Sequence, residues 1–333
     1  MRYFSKMAFL CCVTLAFFTA AAGAQTVQPE VIIKVSTTVV RPNESYVLLD
    51  YMADRVAELT KGKVKIEVLQ PFASEREMFE MVLMGQLQAQ LSSTDAFSQW
   101  VKEARITALP MFYRSWDEVL KVLDGPVGDL IKQKGEPKGF KVVGFAIMSK
   151  RNCILSRKPI KKFEDFKGLK IRVLNSPIWI NLYKAYGAIP VPMDWSDIYT
   201  SMQTGVLDGI DGGLLGSWDS KHYEVSKYAT NFDQAFQVQA LATSLKWWNA
   251  LTPAYQQAIV QAMKEGLPKE RQSFENRNQA IAKKWVEAGV ELIVPDAAFL
   301  AQMRNAAASL RPEFAKAVGS EEVIKMAEKT LGR

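Results

Sequence analysis

The segment Leu169–Met193 reads LKIRVLNSPIWINLYKAYGAIPVPM. Leu169–Leu174 is a short apolar run with β-branched residues, which fits a strand. A helix follows from Pro177 to about Tyr186, and Ile189–Met193 is short and extended. Trp195–Gln203 is helical, with Gly205 as its stop, and Val206–Ile210 is a further strand. Alternation of this kind predicts an α/β architecture with parallel pairing through helical crossovers. Arg172 is the awkward residue, because a charge buried within such a strand is costly without a partner.

The same rhythm extends towards the N-terminus. Val31–Val35 and Val64–Leu69 are strand-like. Between them Tyr46, Leu49, Met52 or Ala53, Val56 and Leu59 recur at helical spacing. Ser74-Glu-Arg-Glu77 is a capping-box signature opening a helix to about Met84. Leu87–Leu91 returns to strand. Ser115-Trp-Asp-Glu118 is a second capping box, and its helix stops at Gly125-Pro126. Lys141–Met148 is predicted as one strand and Cys153–Leu155 as another. From Pro253 to about Glu287 the chain is mostly helical, with Pro268 expected to kink or split it.

Residues 1–24 have the order of a secretory signal peptide. Arg2 and Lys6 precede the apolar Met7–Ala20, and small residues at Ala22 and Ala24 set up a cut between Ala24 and Gln25. The apolar stretch is short for a membrane anchor, which takes about 20 residues. The expected product is soluble and periplasmic, with Cys153 as its one cysteine, a buried thiol. The chain is 48% hydrophobic and 23% charged, an ordinary globular composition, and its 333 residues suggest two domains. Losing Arg2 and Lys6 lowers the net charge by two, from +7 to +5. The bases are dispersed, so nucleic acid is a poor partner, whereas an anionic small molecule suits the bias.

Catalytic constellations are absent from the sequence. His222 is the single histidine, and Ser220-Lys-His-Tyr-Glu224 is no nucleophile elbow. It reads as a surface histidine on a helix. Metal-ligand spacing and phosphate-cradling glycine loops are missing, and no cofactor is expected. Asp208 and Asp211 pair two carboxylates, but Asp208-Gly209 also fits a turn at a strand end.

Four motifs occur in order: LPMFYRSWDEVLKVLDGPVG (Leu109–Gly128), EDFKGLKIRVLNSP (Glu164–Pro177), GAIPVPMDWSDIYTSMQTGVLDG (Gly187–Gly209) and KHYEVSKY (Lys221–Tyr228). Together they resemble the solute-binding proteins of TRAP transporters, the DctP family of tripartite ATP-independent periplasmic systems. The resemblance implies a two-lobed periplasmic-binding-protein-like fold, type II-like, with a long C-terminal helix spanning both lobes. Lobe I would comprise 25–150 and about 237–277, and lobe II 151–236 and about 278–333. It implies an organic acid held in the interlobe cleft and handed to membrane permease subunits. A secreted enzyme acting on a small organic acid, or a ligand receptor for a sensor, are the alternatives.

The resemblance makes Arg172 the partner of the ligand carboxylate, a role its planar fork suits. The other reading pairs it with an Asp or Glu on the next element. Arg151 matches a second basic position near the ligand, or is a surface arginine at a domain crossover. Ser92, Ser93 and Thr94 match a polar segment lining the cleft, or cap the next helix. Phe72 matches a loop at the cleft rim and is equally suited to the core. Where many members read Asp-Gly-Gln-Glu-Asn-Pro, this chain has Asp208-Gly-Ile-Asp211-Gly212-Gly213. An asparagine amide is thereby lost at Gly212 and space is gained. Gln234 stands where many members have histidine. Trp179, Trp195 and Trp218 lie near matched segments, each to stack on a ligand or fill a lobe core.

Overall fold

A computed structural model describes residues 28–333. The leader and its cut at Ala24/Gln25 lie outside the described residues. Nine strands form one mixed sheet among those residues. They are β1 (Val31–Thr37), β2 (Val64–Leu69), β3 (Ala89–Ser93), β4 (Phe140–Ser156), β5 (Lys170–Val173), β6 (Ile189–Pro192), β7 (Gly209–Gly212), β8 (Tyr228–Ser244) and β9 (Glu291–Ile293). Their order is β2-β1-β3-β8-β4-β7-β5-β6, with β9 alongside β8.

Parallel pairing holds within two groups, β2-β1-β3 and β7-β5-β6. Between them run β4 and β8, 17 residues each and antiparallel to one another. The two strands expected at Lys141–Met148 and Cys153–Leu155 are therefore one. The polar stretch Ser149–Asn152 breaks the apolar pattern but not the ladder, because β8 pairs along both sides of it. The register slips at Val142/Gly144, Ile147/Ser149 and Arg151/Cys153, and such bulges bend and twist a ladder. At the last slip Phe232–Gln234 of β8 stand opposite Asn152 alone.

Helices cover both faces. Asn43 caps α1 (Glu44–Leu59), and the predicted Ser74/Glu77 box caps α2 (Glu75–Leu83) in both directions. A single turn, α3 (Thr94–Phe97), follows β3. In the first half of the sheet, Val35, Leu49 and Leu241 pack on one face and Phe79, Phe97 and Phe140 on the other. In the second half, Ile171, Trp179 and Phe299 form one core and Leu155, Ile210 and Trp285 another.

The helix Pro253–Glu287 runs 35 residues without a break. Pro268 does not split it. Packing outweighs the hydrogen bond a proline forfeits, since Ile259 and Met263 sit in the first-half core and Phe274 and Trp285 in the second. Arg277 on this helix donates to Glu44 and Pro42 O in the first half and to Asp219 in the second, at 2.7–2.9 Å. The helices Arg311–Ala317 and Glu321–Leu331, expected in the second lobe, pack on the first half. Phe314, Val318, Val323 and Ile324 pack with Val119, Val122 and Val127 of the first half. Apolar faces on both helices find that core rather than the nearer one in sequence.

Glu270 sits at the middle of the long helix, fully buried, with Oε2 accepting from Ile147 N at the bulge of β4. Burial pushes its carboxyl up to about 8. The folded chain therefore holds a proton that the unfolded chain releases at lower pH. Stability from this group is complete below about pH 4.5 and is lost as pH rises through 8. Glu270→Gln should flatten this part of the pH profile and exceed the wild type at pH 9 by about 1–3 kcal/mol. Urea unfolding at pH 5, 7 and 9 measures it, and parallel profiles for the two proteins contradict it.

Candidate functional site

The carboxyl ends of parallel strands are where α/β sheets hold ligands. Here those ends carry Thr37 and Ser93 in one half and Val173 and Gly212 in the other, with β4 and β8 bridging the halves. The polar residues predicted from sequence gather at these positions.

Arg172 lies on β5 and is 1% exposed. Its Nε donates to Met193 O at 3.0 Å, just beyond β6, and the guanidinium lies 5.3 Å from the Trp195 ring centroid. Nη1 is buried and has no hydrogen-bond partner among the described residues. Among the described residues no carboxylate forms an ion pair with Arg172, which speaks against the reading that paired it with a neighbouring Asp or Glu. Burial, and then the like charge of Arg151, pull its pKa down to about 9. A guanidinium held this way is under electrostatic stress that an incoming anion would relieve.

Arg151, on β4 beside the last bulge, is not a surface residue. It is 3% exposed and grips Asp211 of β7 with Nε at 3.0 Å and Nη2 at 2.7 Å, adding a bond from Nη2 to Asp211 O. Its guanidinium lies 4.5 Å from the Trp179 ring centroid, so that tryptophan serves the core beneath it. Asp211 is therefore occupied by an internal partner. Gln234 is 2% exposed; its Oε1 meets Tyr183 OH at 3.4 Å and its Nε2 is unpartnered among the described residues.

Gly212 corrects the expected gain of space. A Cβ there would lie 3.1 Å from Ser217 Oγ and 3.6 Å from the six-membered ring of Trp195. The Trp195 ring stands in ordinary contact with that Cβ position, and its Nε1 donates to Ser220 Oγ. Trp195 is 37% exposed, so it is not core. Gly213 allows a still closer approach, for its Cβ would stand 2.0 Å from Lys150 O. His222 was expected at the surface of a helix. It is buried in a one-turn 3-10 element, 4.9 Å from Trp195 between ring centroids. Burial and the Arg172 charge push its pKa down to about 4, so it is neutral at pH 7.

In the first half, Ser92 and Ser93 both donate to Glu75, each at 2.7 Å, and Thr38 Oγ1 does so at 2.9 Å. Ser93 Oγ also accepts from Ala96 N, the capping role. Thr94 is corrected as a ligand contact. Its hydroxyl meets Thr107 at 2.7 Å and donates to Val238 O, turning it into the protein. Phe72 is 56% exposed in the loop before α2, outside the core. Trp218 stacks on Tyr223 at 4.4 Å and serves the second-half core.

Two acids escaped the sequence reading. Glu75 was taken only as part of a helix cap. Asp95, on α3, has a buried Oδ1 without a partner among the described residues. Burial pushes its pKa up to about 6 against the pull of Arg151. The signal of Asp95 was positional, an acid two residues past the end of β3.

A sheet of this order, crossed by two long strands and braced by one long helix, carries on β5 a buried arginine without a carboxylate partner among the described residues. Residues 36–317 match the model of the DctP family, bacterial extracellular solute-binding protein family 7, and the chain belongs to that family. It is similar to the 2,3-diketo-L-gulonate-binding periplasmic protein of Escherichia coli K12, 31% identical over 72% of this chain and 74% of the relative. A TRAP periplasmic solute-binding protein from Haemophilus influenzae with bound L-gulonate superposes with a TM-score of 0.84 at 26% identity, covering 91% of this chain and 99% of the other. One from Sulfurospirillum deleyianum with bound succinate gives 0.83 at 27%, covering 91% and 100%.

The Arg151–Asp211 pair generates a prediction. Asp211→Ala leaves a buried guanidinium uncompensated, which should cost about 3–5 kcal/mol. Urea unfolding measures it. A loss under about 1 kcal/mol would mean that the pair behaves like an exposed one.

Proposed function

We propose that this protein is a periplasmic receptor that captures an organic carboxylate between two lobes and delivers it to the membrane subunits of a TRAP permease. It binds its solute without chemical change. Lobe I is read as residues up to 150 with 237–277, joined by the helices at 311–331; lobe II comprises 151–236 and 278–310. The observation that carries this reading is Arg172 Nη1, a buried charged donor without a protein acceptor. A carboxylate supplies that acceptor and offsets the guanidinium charge in one step. The acids in the relatives' sites support the same chemistry.

Thermal unfolding across a library of organic acids tests the reading. A ligand at a hundred times its Kd should add about 2.7 kcal/mol. Neutral sugars that stabilise where no carboxylate does would refute the acid-binding role. Arg172→Ala should weaken the best acid by about 2–5 kcal/mol, some thirty- to several-thousand-fold. Arg172→Lys should also weaken it, because the planar fork is lost. Titration calorimetry giving wild-type affinity for Arg172→Ala would remove the arginine from the site.

A further inference from the structure

Bases that are dispersed along the sequence gather in the fold at one end of the second half of the sheet. Residues 157–170 carry six bases against two acids. Lys227 joins them through the backbone. Its N–H donates to Ser156 O, Arg157 N donates to Asp208 O, and Asp208 N donates to Lys170 O, at 2.9–3.0 Å. This series of bonds links the ends of β8, β4, β7 and β5, three strand spacings or about 14 Å. Lys158, Lys162 and Lys167 extend the row from the segment between β4 and β5. Arg157, Lys158, Lys162, Lys167, Lys170 and Lys227 are all exposed, and among the described residues the ion pair on this face belongs to Lys161 and Glu291. The other acids here are engaged too. Asp165 accepts from Lys161 N and Lys162 N, Asp208 Oδ2 from Lys170 N, and Glu164 Oε1 from Gln302. Four acids against seven bases leave the face positive. Two apolar side chains border it. Ile189 is paired in register with Lys170 and is 50% exposed, and Val206, two residues before Asp208, is 52% exposed.

We propose that this face docks the protein on an anionic phospholipid bilayer. Five of its six unpaired bases are lysines. Protein interfaces favour arginine and are depleted in lysine, because a planar fork suits a fixed partner. A lysine ammonium is a compact charge that needs no fixed geometry, which suits a fluid layer of headgroup phosphates. Ile189 and Val206 add apolar contact at the headgroup level, as on other basic faces that lie against a membrane. The face is at the opposite ends of β5 and β7 from Val173 and Gly212, so docking leaves the candidate site uncovered. A receptor confined to the bilayer surface meets membrane subunits by a search in two dimensions. The inference goes beyond the organic-acid reading and does not depend on it, since no solute enters the contact.

Sedimentation of the exported chain with unilamellar vesicles tests it. The protein should bind vesicles of phosphatidylglycerol and phosphatidylcholine in equal parts, and not vesicles of phosphatidylcholine alone. Raising the salt from about 50 to about 300 mM should weaken binding by about tenfold or more. The triple variant Lys162→Ala, Lys167→Ala, Lys170→Ala should weaken it by about a hundredfold. Ile189→Ser with Val206→Ser should weaken it by about five- to tenfold. Lys121→Ala, Lys138→Ala and Lys325→Ala together remove the same charge from exposed positions of the first half, and should change binding by less than about threefold. All the substituted residues are exposed, and thermal unfolding checks that each variant folds. Equal binding to both kinds of vesicle, or to neither, overturns the proposal. So does an equal loss in the two lysine triples, which would assign the attraction to net charge. Binding of polyglutamate through Lys162, Lys167 and Lys170 without binding of vesicles would give the face to an acidic protein and overturn the lipid assignment. Each of these outcomes leaves the organic-acid reading untouched.

Discussion

A guanidinium enclosed by protein, with its buried Nη1 left without an acceptor among the described residues, is the constraint on which the site depends. Arg172 is charged, 1% exposed and bonded through Nε to a single carbonyl. Burial of a charge on such terms is unfavourable in the free protein. The surroundings hold it there nonetheless: β5 fixes its backbone, Met193 O its Nε, and the Trp195 face its plane. The neighbouring Arg151 is neutralised by Asp211, so Arg172 is the arginine left to attract an anion. On the reading proposed above, the pair Arg151–Asp211 is scaffold and Arg172 is the recognition element.

The sheet topology makes this arrangement possible. β4 and β8 cross from one half of the sheet to the other, and the register slip beside Arg151 sets Arg151 and Gln234 at the junction. The long helix packs into both halves, and Arg277 is shared between Glu44 and Asp219 across them. The halves are joined by few chain passages, which suits motion about those passages. Glu270 is buried against Ile147 N at a bulge of one of them.

Much of the fold was legible because its signals are local. The Ser74/Glu77 box, β2 and the helix after Pro177 follow from capping, alternation and proline placement, and each lies within a residue or two of its predicted bounds. The continuity of β4 was not legible. Ser149–Asn152 reads as a break, and only the partner strand, some 80 residues later, sustains it. The packing of the final helices on the first half was hidden for the same reason, since amphipathic faces do not name their partners. Arg172 was legible through its motif. The pairing of Arg151 with Asp211, the burial of His222 and the role of Glu75 were not, because each depends on contacts distant in sequence. Gly212 shows the limit most clearly: the absent side chain suggested room, and Ser217 and Trp195 border the place its Cβ would take.

The central claim is that a ligand carboxylate completes Arg172. A crystal structure of the protein at neutral pH with its tightest-binding organic acid tests it most directly. The account predicts a carboxylate oxygen at about 2.7–2.9 Å from Arg172 Nη1, the charge-assisted range. A carboxylate seated elsewhere, with Nη1 contacting only protein or water, would contradict it.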